Sequence, residues 1–292
     1  MHSSRRSPGK QKAPASDDGR CWAPWSFGLS NPVAELAATE VDCSGGDRLS
    51  TYRDQYDMED QLQIALQDTF LSRPTNQLLA DFGAGNAAPG SGSAAALMGL
   101  LAARLIQTVC TKSKEHIQDE RGQRTFDFID AHIRSKIEPD LRSLFEKDAE
   151  DFNTVIELRR ARLAARSTSR KSALQPESND RLELATDNVF AIAQHCDTLV
   201  EYSVTMFENG WHAVRGDSGA AVGAGIAGVM SCIFIANLNM KRLKNRVYAR
   251  EHVTTCSELY KTLQRRQTRA FRCVTSLNTE AVKAIQIPLH EA

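Results

Sequence analysis

An almost unbroken helical spacing of apolar residues runs from residue 57 nearly to the C-terminus, and it limits the fold to helices. In DMEDQLQIALQDTFL, apolar side chains recur close to the 3.6-residue period of an α-helix. No segment shows the alternation of apolar and polar residues that is typical of a β-strand. The spacing predicts further helices at 74–82, 93–110, 121–166 (bent at Pro139), 178–209, 217–245 and 248–284. We therefore expect an all-α fold, a bundle of long antiparallel helices without a β-sheet.

The first 55 residues lack this spacing and are rich in polar and turn-forming residues. Such a segment buries too little apolar area to offset the entropy lost on ordering. We expect residues 1–55 to be a disordered N-terminal extension and residues 56–285 to form one helical domain.

The cysteines give no sign of a disulfide framework or a structural metal site. There are seven, an odd number, and no two have the C-x-x-C spacing. The N-terminus also lacks the apolar segment of a secretory signal. We expect a reducing, cytoplasmic setting and no bound metal.

The charges exclude a protein that binds nucleic acid simply by being basic, because 36 basic residues balance 36 acidic ones. One local region, 241–272, carries ten lysines and arginines but only two acids. It is either a solvated helix face or a site for carboxylates of a ligand. RNA binding is disfavoured, because no aromatic residues suited to base stacking accompany these charges.

The segment 219–236 contains eighteen consecutive uncharged residues, which just reaches the length of a membrane span. Because many of these residues are small, and asparagines follow at once, we expect a buried helix and no membrane insertion. Small and apolar residues recur in it at alternating spacings of four and three, a seam suited to close helix packing within one subunit or between two. The seam consists of Ala221, Gly225, Gly228, Cys232 and Ile235.

The segment APGSGSAAALMGLLAARL begins with a turn that is followed by a predicted helix, and Ser93 is the predicted N-cap of this helix. Free backbone amides at such a helix start favour anions or polar ligand atoms.

Two glycine patterns, one opening at Gly83 and one at Gly223, imitate dinucleotide fingerprints. Neither follows a β-strand, and no GKS or GKT is present, so both a Rossmann site and a P-loop are excluded.

Two aspartates are candidates for chemistry. Asp148 lies in the centre of an apolar helix face, so its carboxylate must be paired or hydrogen-bonded. It either caps or pairs with another helix, or serves as an acid–base group in a desolvated cleft.

Asp217 is the predicted N-cap of the small-residue helix. Asn239 lies 22 residues further on, about 33 Å along a straight helix. The two therefore contact one ligand only if the site lies between two antiparallel subunits; otherwise Asn239 is structural.

Four stretches in matching order resemble the cyclodeaminase/cyclohydrolase family, which includes the cyclodeaminase domain of formiminotransferase-cyclodeaminase and bacterial methenyltetrahydrofolate cyclohydrolases. They are the turn before Ser93, DAEDFNTVI, GDSGAAVGAG and ANLNMKRLKN, and the resemblance spans about residues 60–275. The chain departs from the family pattern at Ser91, which interrupts a glycine triplet, and at Gly216, where serine is usual. It also inserts a basic run, RRARLAARSTSRKS, after the aspartate-rich segment.

The resemblance implies a homodimeric enzyme that acts on methenyl- or formiminotetrahydrofolate by a cyclohydrolase or cyclodeaminase reaction. The tetrahydrofolate derivative, with one or more glutamates, is then the substrate, and no prosthetic group is needed. The implied catalytic residues are Asp217 and Asp148, and the implied substrate-binding residues are Gly90, Ser91, Gly92, Ser93, Lys112 and Asn239. The departures leave one alternative open, a catalytically inactive helical dimer that acts as an interaction or regulatory module.

Overall fold

A computed structural model describes residues 69–286, and every regular element in that range is helical. The all-α prediction is confirmed for this part of the chain. The expected extension 1–55 and most of the helix predicted from residue 57 lie outside the described residues. The elements are a 3₁₀ turn (Phe70–Ser72), α1 (Thr75–Gly83), α2 (Ser91–His116), α3 (Glu120–His132), a π-helical turn (Ile133–Ile137), α4 (Glu138–Ala164), α5 (Thr168–Asn209), a 3₁₀ turn (His212–Val214), α6 (Arg215–Arg242) and α7 (Val247–Gln286).

The helix predicted over 121–166 is interrupted just before Pro139. Pro139 lies in the first turn of α4 and has no amide hydrogen to donate. The chain widens into the π-helical turn Ile133–Ile137 directly before it, so α3 and α4 follow one another without a loop.

The long helices alternate in direction. Ser93 near the start of α2 bonds to Asp148 in α4, while Arg104 further along α2 pairs with the earlier residue Glu138. The α2 and α4 helices are therefore antiparallel. The α6 helix also runs against α2, because Gly228 lies beside Ala95 near the start of α2, whereas the amide of Trp211, shortly before α6, donates to the Ser113 hydroxyl near the end of α2.

The small-residue seam of α6 packs within the chain. A Cβ added at Gly225 would lie 2.7 Å from a methyl of Val200, and one added at Gly228 would lie 2.6 Å from the Cys196 Sγ. Both of these neighbours are in α5, so the glycines allow α5 and α6 to approach closely. The seam is thus used inside one subunit and is not free to form a dimer contact, because bulkier residues there would push α5 away.

Two stretches of the described residues are long and apolar enough to cross a membrane by length and composition alone, namely α2 and the segment His212–Arg242. Both lie within the bundle, and the α2 window is mostly buried. Core helices of globular proteins have the same composition, so this likeness is weak support for a membrane span.

Candidate active site

A cleft opens where α2 begins. The α2 helix fills the space between α4 and α6 over α5, but it starts only at Ser91, and α4 and α6 continue beyond that point. The resulting cleft is open to solvent and contains about 280 Å³ of empty space, part of which is that solvent. It is lined by Gly90, Ser91, Gly92, Asp148, Phe152, Ala185, Val189, Ile235 and Asn239. Five residues predicted for the site from the sequence, Gly90, Ser91, Gly92, Asp148 and Asn239, therefore lie together.

The start of α2 is capped from another helix. The N-cap residue is Gly90, which offers no side chain, and Ser93 is the third helical residue and fully buried. The prediction that Ser93 is the N-cap is therefore wrong. The Asp148 carboxylate takes over that role, because its Oδ2 accepts hydrogen bonds from the Ser93 amide at 2.8 Å and from the Ser93 hydroxyl at 3.0 Å.

This close approach depends on a glycine. A Cβ added at Gly92 would lie 2.1 Å from Oδ1 of Asp148 and 2.4 Å from its Cγ. No side chain fits at such distances, so any other residue at position 92 must displace the carboxylate.

The environment of Asp148 suits proton transfer. Burial raises the pKa of its carboxyl from 3.8 to about 6; the hydrogen bonds from Ser93 oppose this rise, and the negative charge of Asp151 adds to it. Only Oδ2 is anchored, and Oδ1 has no hydrogen-bond partner in the described part of the chain. A carboxyl group with one fixed oxygen, one free oxygen and a pKa near neutrality can act as an acid or a base.

The opposite wall of the cleft presents an oriented amide. Asn239 is buried, and its Nδ2 donates to the Thr186 hydroxyl oxygen at 3.1 Å. That hydroxyl donates in turn to the carbonyl oxygen of Leu182 at 2.6 Å. Sequence reasoning missed Thr186, whose only signal was a polar residue within an apolar helix pattern. This chain of bonds leaves the Asn239 amide oxygen without a hydrogen-bond partner among the described residues, on a side chain that lines the cleft.

Asp217 and Lys112 lie far from this cleft within one chain. Asp217 is the third residue of α6, whose N-cap is Val214, so its predicted role as the N-cap is wrong. It and Asn239 occupy the same helix, about 33 Å apart along its axis. Lys112 lies twenty residues after Gly92 on α2, about 30 Å away, where it pairs with the exposed Glu115.

Three of the ten basic residues in the region 241–272, Arg246, Arg266 and Arg269, pair with acids of α5. The Arg246 Nε lies 2.6 Å from a carboxylate oxygen of Glu183, and the Arg266 Nε lies 2.6 Å from one of Asp197. These pairs fix α7 against α5. Part of this charge therefore stabilises helix packing.

Comparison with known proteins agrees with this architecture. The family model described as formiminotransferase-cyclodeaminase matches residues 74–258, more than half of the chain. A methenyltetrahydrofolate cyclohydrolase from Methylorubrum extorquens is 26% identical over 171 residues, which cover 56% of this chain and 78% of that protein. The crystal structure of formiminotetrahydrofolate cyclodeaminase from Thermotoga maritima has the same fold, with a TM-score of 0.61 and 16% identity over 71% of this chain and 98% of that one. On the strength of the family match, this chain is a divergent member of the formiminotransferase-cyclodeaminase family.

Proposed function

We propose that this protein is a folate one-carbon enzyme, a methenyltetrahydrofolate cyclohydrolase in which Asp148 is the acid–base group. The arrangement of Asp148 carries the proposal, because its anchored Oδ2, free Oδ1 and raised pKa are what proton transfer requires. The name of the relative from Methylorubrum extorquens supports the choice of substrate. The inactive alternative gains no support, since the residues around Asp148 form an open cleft whose largely apolar wall carries a carboxyl group and an amide.

The reaction adds water to the methenyl carbon between N5 and N10 of the folate. Ionised Asp148 takes one proton from the attacking water as the new C–O bond forms, and its negative charge attracts the positive methenyl group. Asp148 then returns this proton to N5 as the C–N5 bond breaks. The proton of the new hydroxyl leaves to solvent as the carbonyl forms, which yields the N10-formyl product.

The small size of the cleft favours a dimer, because even its empty space of about 280 Å³, which includes open solvent, lies below the usual range for pockets that enclose a drug-sized ligand. The outer face of α6, defined here by Gly219, Gly223, Phe234 and Leu238, is exposed and largely apolar. A Cβ added at either glycine would meet no atom within 4 Å, so a second helix has room to approach. We propose that two copies pair through this face in antiparallel fashion.

Antiparallel pairing would bring Asp217 of one copy close to the cleft of the other. The two ends of α6 are about 33 Å apart within one chain, and reversal of the second copy places its first turn beside the last turns of the first. The partner could then supply the second carboxylate that the cleft lacks.

An absorbance assay tests the proposed function. We expect the purified protein to convert methenyltetrahydrofolate and Asp148→Asn to lose about 10²–10⁴-fold in rate, as for a general acid–base residue. Glu150→Gln, two residues away and exposed, is the matched control and should keep full activity. Turnover of formiminotetrahydrofolate with release of ammonia would instead indicate the cyclodeaminase reaction. Turnover of neither folate would contradict the proposal.

A further inference from the structure

Two arginines without an acidic partner among the described residues lie beyond the cleft along α4 and α6. Arg159 lies seven residues after Phe152 on α4, and Arg242 lies seven residues after Ile235 on α6. Seven residues are close to two helical turns, so each arginine lies on the same face as the cleft residue before it and about 10 Å further along. The α4 and α6 helices both run away from the start of α2, and helical side chains tilt back toward the helix N-terminus. This tilt favours positions of both side chains at the far end of the cleft, where Arg159 is half-buried and Arg242 is exposed.

The two arginines are close enough to repel each other. Burial lowers the pKa of the half-buried Arg159 guanidinium, and the positive charge of Arg242 lowers it further. Two like charges at one end of a groove are unfavourable unless an anion joins them.

No carboxylate of the described residues serves as that anion. Neither Arg159 nor Arg242 has an ion pair or hydrogen bond in the described part of the chain. Nearby acids are engaged elsewhere: Asp151 accepts a hydrogen bond from Asn188 at 2.9 Å, and Glu183 pairs with Arg246. Arg159 also opens the basic run RRARLAARSTSRKS, which departs from the family pattern.

We propose that Arg159 and Arg242 form a carboxylate-binding subsite that holds the glutamate end of a folate whose one-carbon group lies at Asp148. This inference rests on the proposed function for the identity of the ligand. Guanidinium groups bind carboxylates through bidentate hydrogen bonds. A folate carries carboxylates at its glutamate and none at its pterin ring. The subsite lies about 10 Å beyond Phe152 and Ile235 along the two helices. The aminobenzoyl group and the glutamate of a folate, together with the length of an arginine side chain, cover that separation.

Steady-state kinetics with three substrates tests the subsite: methenyltetrahydrofolate with one glutamate, its oligoglutamate form, and the methenyltetrahydropteroate that lacks glutamate. We expect Arg159→Gln and Arg242→Gln each to raise KM about tenfold for the glutamate-bearing substrates, as for a lost charged hydrogen bond, with kcat nearly unchanged. The KM for the pteroate should not change. Arg160→Gln and Lys241→Gln, which are exposed neighbours, are the matched controls.

Equal KM values for wild type and both variants would overturn the subsite while leaving the proposed function intact. If the protein turns over no folate, binding of p-aminobenzoyl-oligoglutamate is measured by calorimetry. Binding that Arg159→Gln abolishes would support the subsite and contradict only the proposed function. No binding to wild type would overturn the subsite as well.

Discussion

Replacing Asp148 by asparagine should make the stability of the protein less dependent on pH. The carboxyl has a pKa of about 6 in the folded protein against 3.8 as its ordinary value, and this difference corresponds to about 3 kcal/mol. Because the folded pKa is the higher one, the folded state binds this proton more tightly than the unfolded state. The stabilisation by that proton is fully present below pH 3.8 and is lost as the pH rises through about 6.

The asparagine side chain is neutral at every pH, and its amide oxygen can accept both hydrogen bonds from Ser93. The free energy of unfolding of Asp148→Asn, relative to wild type, should therefore grow by about 2–3 kcal/mol between pH 4 and pH 7.5. Urea unfolding of both proteins at several pH values measures this difference, and Glu150→Gln serves as the control. A difference that stays constant over this range, or that shrinks as the pH rises, would refute the account of the buried carboxyl.

Gly92→Ala should displace the Asp148 carboxylate, lower the free energy of unfolding by about 1–3 kcal/mol and reduce activity; Gly83→Ala, which meets no neighbouring atom, is the control, and equal urea midpoints would contradict the close approach. Thr186→Val should leave the buried Asn239 amide without its acceptor, at a cost of about 1–3 kcal/mol in chemical unfolding. Thr198→Val should cost little, because the half-buried Thr198 hydroxyl bonds only to the Gln194 carbonyl of its own helix. A double substitution, Phe234→Lys with Leu238→Lys, should convert a dimer to a monomer in sedimentation and reduce activity, and a wild-type protein that sediments as an active monomer at micromolar concentration would disprove the dimer.

The sequence predicted the burial of Asp148 but not its partner. Its place in the centre of an apolar arc depends only on residues within the same helix. Its hydrogen bonds reach Ser93, 55 residues away along the chain, and helical periodicity contains no information about such pairs. For the same reason Ser93 was predicted to cap its own helix, since local rules do not include a cap supplied by another helix.

The small-residue seam of α6 likewise shows that helical periodicity does not identify the partner of a helix face. Its spacing of small residues predicted close packing, and Gly225 and Gly228 do pack closely, but the pattern does not tell whether the second helix belongs to the same chain. Likewise, the basic run was visible in the sequence, while the approach of Arg159 to Arg242 depends on the register of α4 and α6.

The pH dependence of kcat/KM for methenyltetrahydrofolate, corrected for the uncatalysed hydrolysis, tests most directly whether Asp148 acts as the base. The account predicts that kcat/KM rises with pH through about 6 and then levels off, because the free enzyme must carry Asp148 in its ionised form. Glu150→Gln should show the same profile. A wild-type profile that is flat between pH 5 and pH 8, or Asp148→Asn activity equal to that of wild type, would contradict the role of Asp148.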